Sequence, residues 1–292
     1  MTETASETDL ALADGRTLHV YDTGPDSGDL AVFWHHGTPN IGAPPKPLFP
    51  VAAELGIRWV AHDRPGYGGS TPVPGRDLAS AAADVASAAD ALGIDRFAVM
   101  GHSGGGSHAL GCGALLPDRV LAVVSAAGMA PFDADGLDWF AGMSEASVGS
   151  LGSAAEGRAA KERYEAAEDK PEMEFAPADL AAFDGAWAWF GEVVGPAVEP
   201  GPAALIDDDL AYVARWGFDP ATISAPVLLL HGGMDRVIPA SHAGWLADHC
   251  PTAELRVNPY DGHISVLNSG EAALRWLAEQ SRRRRDPERP RS

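Results

Sequence analysis

The chain has few cysteines, few basic residues and no long apolar run. Two cysteines, Cys112 and Cys250, stand among 292 residues. That is too few for a disulfide framework, and neither has a cysteine neighbour at metal-ligand spacing. Both read as packed thiols in a chain suited to a reducing cytoplasm. Lys and Arg number 21 against 41 Asp and Glu, for a formal net charge of −20. Nucleic acid is therefore not an expected partner, because phosphate recognition needs clustered Lys and Arg, and anionic membrane surfaces are disfavoured on the same ground. No apolar stretch approaches the ~20 residues of a membrane span. The opening "MTETASETDLALADG" has neither the basic n-region nor the apolar h-region of a signal peptide, so a cytoplasmic protein is expected.

Hydrophobic residues, by contrast, make up 46% of the sequence, enough for one large core with room for an insertion. Short apolar runs ending in glycine-rich corners alternate with Ala-rich helical stretches. "LALADG" and "TLHVYDTG" flank a Gly15-Arg16 turn and read as a hairpin. "LAVFWHHG", "IRWVAHDRPG", "RFAVMGHS", "RVLAVVSAAG", "PVLLLHGGMD" and "AELRVNPYDGH" read as strands. Between them, "FPVAAELG", "RDLASAAADVASAADALGI", "GGGSHALGCGALLP" and "ASHAGWLADHC" read as helices, and "SGEAALRWLAEQSRR" closes the series. This alternation predicts an α/β fold, a mainly parallel, doubly wound sheet with helices on both faces.

Residues 132–220 break the rhythm. They carry 19 Asp and Glu against 5 Lys and Arg, a local charge of −14, and show helical patches without strand alternation. The expected organisation is a first core part over 1–131, a helical cap insertion over 132–220 and a second core part over 221–281. A charged, proline-broken tail over 282–292 is expected to be disordered.

The chemistry gathers at "VMGHSGGGSHAL". Gly101, His102, Ser103, Gly104 and Gly105 form a G-x-S-x-G placed between a strand and a helix. Glycines flanking the serine let the backbone pass close to its neighbours while the turn pushes the Ser103 hydroxyl into the open. A phosphate cradle fits poorly, since no Lys-Ser/Thr pair follows the glycines. A serine hydroxyl needs a base to take its proton and an acid to orient that base. His263 in "PYDGHIS" and Asp235 in "LLLHGGMDRVIP" each follow a late strand, which places both at the sheet edge that carries Ser103. The order Ser, Asp, His is the one this architecture uses. For the developing oxyanion, the N–H of Gly104 at the helix start and that of Thr38 in "WHHGTPN" are the candidate donors. The chemistry calls for no metal or organic cofactor.

With "HHGTP", "HDRPGYGGS", "GHSGG", "GGMDRVIP" and "GHIS" in that order, the chain resembles the α/β-hydrolase superfamily with a helical cap. The resemblance runs from about residue 30 to 268. It implies Ser103 as nucleophile, His263 as base, Asp235 as acid and an oxyanion hole of the Thr38 and Gly104 amides. It also implies an esterase-like serine hydrolase acting on a small acyl compound. Haloalkane dehalogenases and epoxide hydrolases use an aspartate nucleophile, against which Ser103 argues. Proline iminopeptidases carry Trp after the serine, where this chain has Gly104, although an acidic cap suits an amino group. Cofactor-free perhydrolases and C–C bond hydrolases share the triad. A non-catalytic ligand-binding member of the fold is the alternative of another class.

Other residues have plainer readings. His35 and His36 alternate faces on a strand and do not form a metal pair; His36 reads as part of the oxyanion loop. His62 and His231 read as hydrogen-bonded core histidines. Asp133, Asp135 and Asp138 are the rival source of the acid, and Asp261 reads as a turn residue. His102, Trp187 and Trp189 are the candidate substrate-binding residues, with Phe190 beside them. Asp207-Asp208-Asp209 reads as a helix cap on a solvated corner.

Overall fold

The computed structural model describes residues 4–285. β1 (Ser6–Ala11) and β2 (Thr17–Asp22) form the expected hairpin, and β3 (Leu30–His35), β4 (Ile57–His62), β5 (Phe97–His102), β6 (Val120–Ala126), β7 (Val227–Gly232) and β8 (Ala253–Asn258) complete one eight-stranded sheet. Its order is β1-β2-β4-β3-β5-β6-β7-β8. Every pairing from β4 to β8 is parallel, and β2 joins β1 and β4 antiparallel.

The central strands are buried along their whole length, as expected for strands covered on both faces. Successive side chains split between two cores, following the two-residue period of a strand. Ala31 and Phe33 of β3, with Phe97 and Val99 of β5, join one cluster. Val32 and Trp34, with Ala98 and Met100, join the other. α2 (Ser80–Ala91), α3 (Gly104–Leu115) and α9 (Ser241–His249) close the first face through Val85, Leu110 and Leu246. α1 (Phe49–Leu55) and α10 (Gly270–Arg285) close the second through Val51, Leu274 and Leu277.

Between β6 and β7 the chain is helical, with α4 (Glu145–Ala155), α5 (Arg158–Ala166), α6 (Pro177–Phe183), α7 (Phe190–Val198) and α8 (Ala203–Tyr212). Its buried residues do not build a core of their own. Trp139, Leu151 and Tyr212 belong to the first cluster, and Trp187, Phe190 and Val193 to the second. The acid-rich stretch is thus helical in its regular elements, and its buried residues pack into the same two cores as the sheet.

The expected tail begins too early. Arg282–Arg285 continue α10, because Arg284 donates to Pro117 O and Ser224 Oγ while Arg285 donates to Asp29 O. Cations in the last turn also complement the helix dipole. The remainder of that stretch, 286–292, lies outside the described residues. Among the described residues, no helix is long and apolar enough to cross a membrane.

Candidate active site

Ser103 sits between the end of β5 and the start of α3, with φ 56° and ψ −130°. A left-handed φ at a non-glycine residue is a strained conformation that persists only where its surroundings impose it. The flanking glycines are part of those surroundings. A Cβ on Gly101 would lie 2.0 Å from Gly105 O, and one on Gly105 would lie 2.0 Å from His35 O. The backbone therefore passes through a space no side chain could share.

The structure brings the three sequence-derived residues together. Ser103 Oγ lies 2.9 Å from His263 Nε2. His263 Nδ1 lies 2.8 Å from Asp235 Oδ2. Asp235 follows β7, and its Oδ1 accepts from the Val237 and Ile238 amides at 2.8 and 2.9 Å. Burial alone would raise the Asp235 carboxyl. The neighbouring His263, with His231 behind it, outweighs that and holds the pKa well below the usual carboxylate range. An ionised Asp235 accepts a hydrogen bond from Nδ1–H, leaving Nε2 free to accept from Ser103. Asp133, Asp135 and Asp138 are all exposed, and Asp133 lies 3.7 Å from Arg215 instead of facing a histidine.

The loop after β3 packs directly behind the serine. A Cβ on Gly37 would come within 3.5 Å of Ser103 Cβ. His36 belongs to this loop as expected, donating from Nδ1 to Gly37 O at 2.8 Å and accepting at Nε2 from the Arg64 amide at 3.0 Å. Thr38 is held by side chains the sequence did not point to. Its Oγ1 donates to Asp208 Oδ2 at 2.6 Å and lies 2.7 Å from the Tyr212 hydroxyl. Arg64 donates to the His36 and Gly37 carbonyls and grips Asp208 at 2.6 Å, while Arg76 reaches the same carboxylate at 2.8 Å. Burial pushes Asp208 up, but the two guanidinium groups hold it well below the carboxylate range.

Asp207–Asp209 therefore do not form a solvated cap. All three are buried within α8, Asp207 and Asp209 being paired with Arg158 and Lys161. Consecutive acids are read as solvated by default. The arginines and lysine that overturn this come from other elements.

A cavity of about 430 Å³ opens onto Ser103 and His263. Its wall is mostly apolar, with Phe175, Phe183, Phe190 and Val194 from the inserted segment. His102 lines it as expected, donating from Nε2 to His263 O at 2.8 Å. Burial, and then the nearby His263, lowers the His102 pKa to about 3, so the ring is neutral. Trp187 and Trp189 do not line the cavity. They pack in the core beside Phe190, at ring-centroid separations of 6.0 and 5.2 Å, and Trp187 Nε1 donates to Asn268 Oδ1. Of that aromatic run only Phe190 faces the site.

Two further candidates, His231 and His62, and both cysteines are buried. His231 Nε2 donates to Ile238 O at 2.7 Å. Among the described residues neither ring nitrogen of His62 has a hydrogen-bond partner, unlike the hydrogen-bonded core histidine expected there. Cys112 and Cys250 are buried free thiols. Among the described residues, no group of three His, Cys, Asp or Glu side chains is arranged to hold a metal ion.

Known proteins resemble this chain in local sequence and in overall fold. Over local segments the chain is 36% identical to a non-heme chloroperoxidase from Streptomyces lividans, across 42% of this chain and 45% of that protein. It is likewise 36% identical to a bifunctional esterase/perhydrolase from Acinetobacter calcoaceticus, across 32% of this chain and 34% of that one. The chain thus matches less than half the length of these curated relatives. A thermophilic esterase from Thermogutta terrifontis superposes with a TM-score of 0.66 at 21% identity, covering 95% of this chain and all of that one. A proline iminopeptidase from Mycobacterium smegmatis gives a TM-score of 0.59 at 19% identity, over 96% and 98% of the two chains. These solved structures share the fold. The profile of the alpha/beta hydrolase fold family matches residues 31–269, and the chain belongs to that α/β-hydrolase family.

Proposed function

We propose that the protein is a serine hydrolase that cleaves a carboxylic ester, or a similar small acyl compound, through an acyl-serine intermediate. The observation that carries this reading is the Ser103–His263–Asp235 relay, at 2.9 and 2.8 Å, opening into the apolar cavity. Ser103 Oγ attacks the acyl carbonyl as its proton passes to His263 Nε2. The oxyanion then settles against the Thr38 and Gly104 amides. Collapse expels the alcohol, which takes the proton from His263. Water, deprotonated by His263, attacks the acyl-serine and frees the acid. Asp235 holds the imidazole tautomer and stabilises the imidazolium. The inserted helices serve as a cap, supplying the wall that receives the apolar part of the substrate.

Two features argue against an iminopeptidase. A Cβ on Gly104 would lie 1.9 Å from the Tyr212 hydroxyl, so the position after the serine holds no side chain. No Asp or Glu lines the cavity among the described residues, so no carboxylate lines it to pair with a charged amino group. The acidity of the insertion is spent elsewhere.

Perhydrolysis is a second reading, favoured by the local similarity to a bifunctional esterase/perhydrolase. Hydrogen peroxide would replace water in attacking the acyl-serine, and a peracid would leave. Turnover of p-nitrophenyl esters of increasing chain length, with and without peroxide and with peracid assayed directly, separates the two. Ser103→Ala should abolish both activities and labelling by a fluorophosphonate while leaving the fold intact. Unchanged turnover in that variant removes the acyl-serine mechanism. A wild-type protein that is never labelled would instead support a ligand-binding role.

A further inference from the structure

His263 is fixed at its side chain by Asp235 and at its carbonyl by His102. Its amide is fixed by a residue from the inserted segment. Asp179, in α6, is 1% exposed, and no Lys, Arg or His pairs with it among the described residues. Its carboxylate is instead occupied by donors from one loop. Oδ2 accepts from the His263 amide at 3.0 Å. Oδ1 accepts from the Ile264 amide at 2.9 Å and from the Ser265 amide and hydroxyl, both at 2.8 Å. Ser265 Oγ in turn accepts from the Gly262 amide at 2.8 Å. A fifth donor to the carboxylate, the Ala176 amide at 3.1 Å, secures the start of α6 itself.

The approach is close enough to dictate sequence. A Cβ on Gly262 would sit 2.1 Å from Asp179 Oδ2, so the residue before the histidine has to lack a side chain. Three successive amides converging on one carboxylate form a polar nest that holds the anion without a counter-cation. Replacing the carboxylate by an amide would turn an NH2 toward one group of these buried donors and leave them unpaired.

We infer that Asp179 is a positioning residue for the base: a carboxylate of the inserted helices that sets the backbone of the His263 loop, and so the direction of Nε2 toward Ser103. This rests on the reading of His263 as the base. Helix α6 ends at Phe183, which lines the cavity, and Phe175 lines it just before the helix. The element that walls the acyl pocket is thus the one that aligns the base, and a shift of α6 misplaces both.

The test compares Asp179→Asn, Ser265→Ala and Ser103→Ala with wild type on p-nitrophenyl acetate. The readouts are kcat and KM separately, the pH profile of kcat/KM, the thermal midpoint and the downfield Nδ1–H proton resonance of His263. The titratable groups around His263 are Asp235, His102 and Asp179, with Asp261 two residues before it. Removing the Asp179 charge destabilises the imidazolium, so the acid limb of the profile should move to lower pH. Misplacing the base should lower kcat by about 10²-fold with KM little changed. Ser265→Ala removes one donor and keeps the carboxylate; kcat should fall about 2- to 10-fold and the Nδ1–H resonance should shift.

A folded Asp179→Asn protein with wild-type kcat and an unmoved acid limb overturns the inference, as does a loss confined to KM. If Asp179→Asn does not fold, Ser265→Ala decides: wild-type kcat with an unshifted resonance overturns it. Retained activity in Ser103→Ala would bring down the underlying mechanism. A silent Ser103→Ala beside an unaffected Asp179→Asn brings down only the role of Asp179.

Discussion

Asp235 and Asp208 are both buried, both held well below the usual carboxylate range, and both one residue removed from Ser103's immediate surroundings. They differ in where the chain finds their partners. Asp235 is served by its own loop, by His231 four residues before it, and by His263 28 residues on. Asp208 belongs to the inserted helices, and Tyr67, Arg64 and Thr38 reach it from 141, 144 and 170 residues away. The core builds its chemistry at the ends of strands, in short motifs with local support. The insertion acts on the same site through long-range contacts to the loops that carry those motifs.

The largest effect should separate the two carboxylates by kind of damage. Asp235→Asn is expected to lower kcat on the order of 10⁴-fold with little change in fold, because the wrong tautomer of His263 is then held. Steady-state kinetics beside a thermal melt checks this. A variant that keeps most of its activity would return the acid role to another residue and erase the contrast. Asp208→Ala should do the reverse in emphasis. It strands Arg64 and Arg76 in the interior, and breaking such a buried pair costs about 3–5 kcal/mol of stability, measurable by denaturant unfolding. Loss of activity should follow loss of the folded state and of Thr38 placement. An Asp208→Ala protein as stable as wild type would show that the insertion does not depend on this clamp.

The same contrast explains what could be read in advance. The elbow at Ser103 was legible because its requirement is local: glycines two positions before and after the serine, in a strand–turn–helix setting. Asp235 and His263 were legible because a parallel sheet places every strand's carboxyl end at one edge. Trp187 and Trp189 read as pocket residues yet pack away from it, because an aromatic run on a helical segment does not reveal which face meets the cavity. Asp207–Asp209 read as solvated because the cations that bury them lie far off in the sequence. Asp179 carries no signal at all, since its partners, apart from the Ser265 hydroxyl, are backbone amides, which every sequence has. Arg282–Arg285 read as too charged to pack, yet distant carbonyls accept from Arg284 and Arg285.

Acid should act on one region more than on the other. All ten histidines lie outside residues 132–220. Burial lowers His108 and His102 to about 3 and His242 to about 4, against an ordinary value of 6.5. Below pH 6.5 the unfolded chain takes up protons that the folded core refuses until pH falls to about 4 and then 3. The sign follows: the unfolded state binds more protons in that window, so stability is full above pH 6.5 and falls as pH drops toward 4. The thermal midpoint should decline across this range, with proton uptake on unfolding. A flat midpoint there would mean these rings are accessible to water in the folded protein.

The smallest effect belongs to a second bridge between the same two regions. Lys46, in the turn before α1, pairs with Glu192 of α7, and both side chains are more than half exposed, at 57% and 56%. Geometrically this links core and insertion just as the Asp208 clamp does, yet solvent screens the charges and both side chains give up rotamer freedom to meet. Exposed pairs of this kind contribute about 0.2–1 kcal/mol. Lys46→Ala should therefore change the unfolding free energy by less than about 1 kcal/mol and leave ester turnover intact, with the difference shrinking further at high salt. A loss as large as that of Asp208→Ala would mean that contact between the two regions, wherever it is made, limits stability. A negligible loss places the coupling in the buried carboxylate, where desolvation makes an unpaired partner costly.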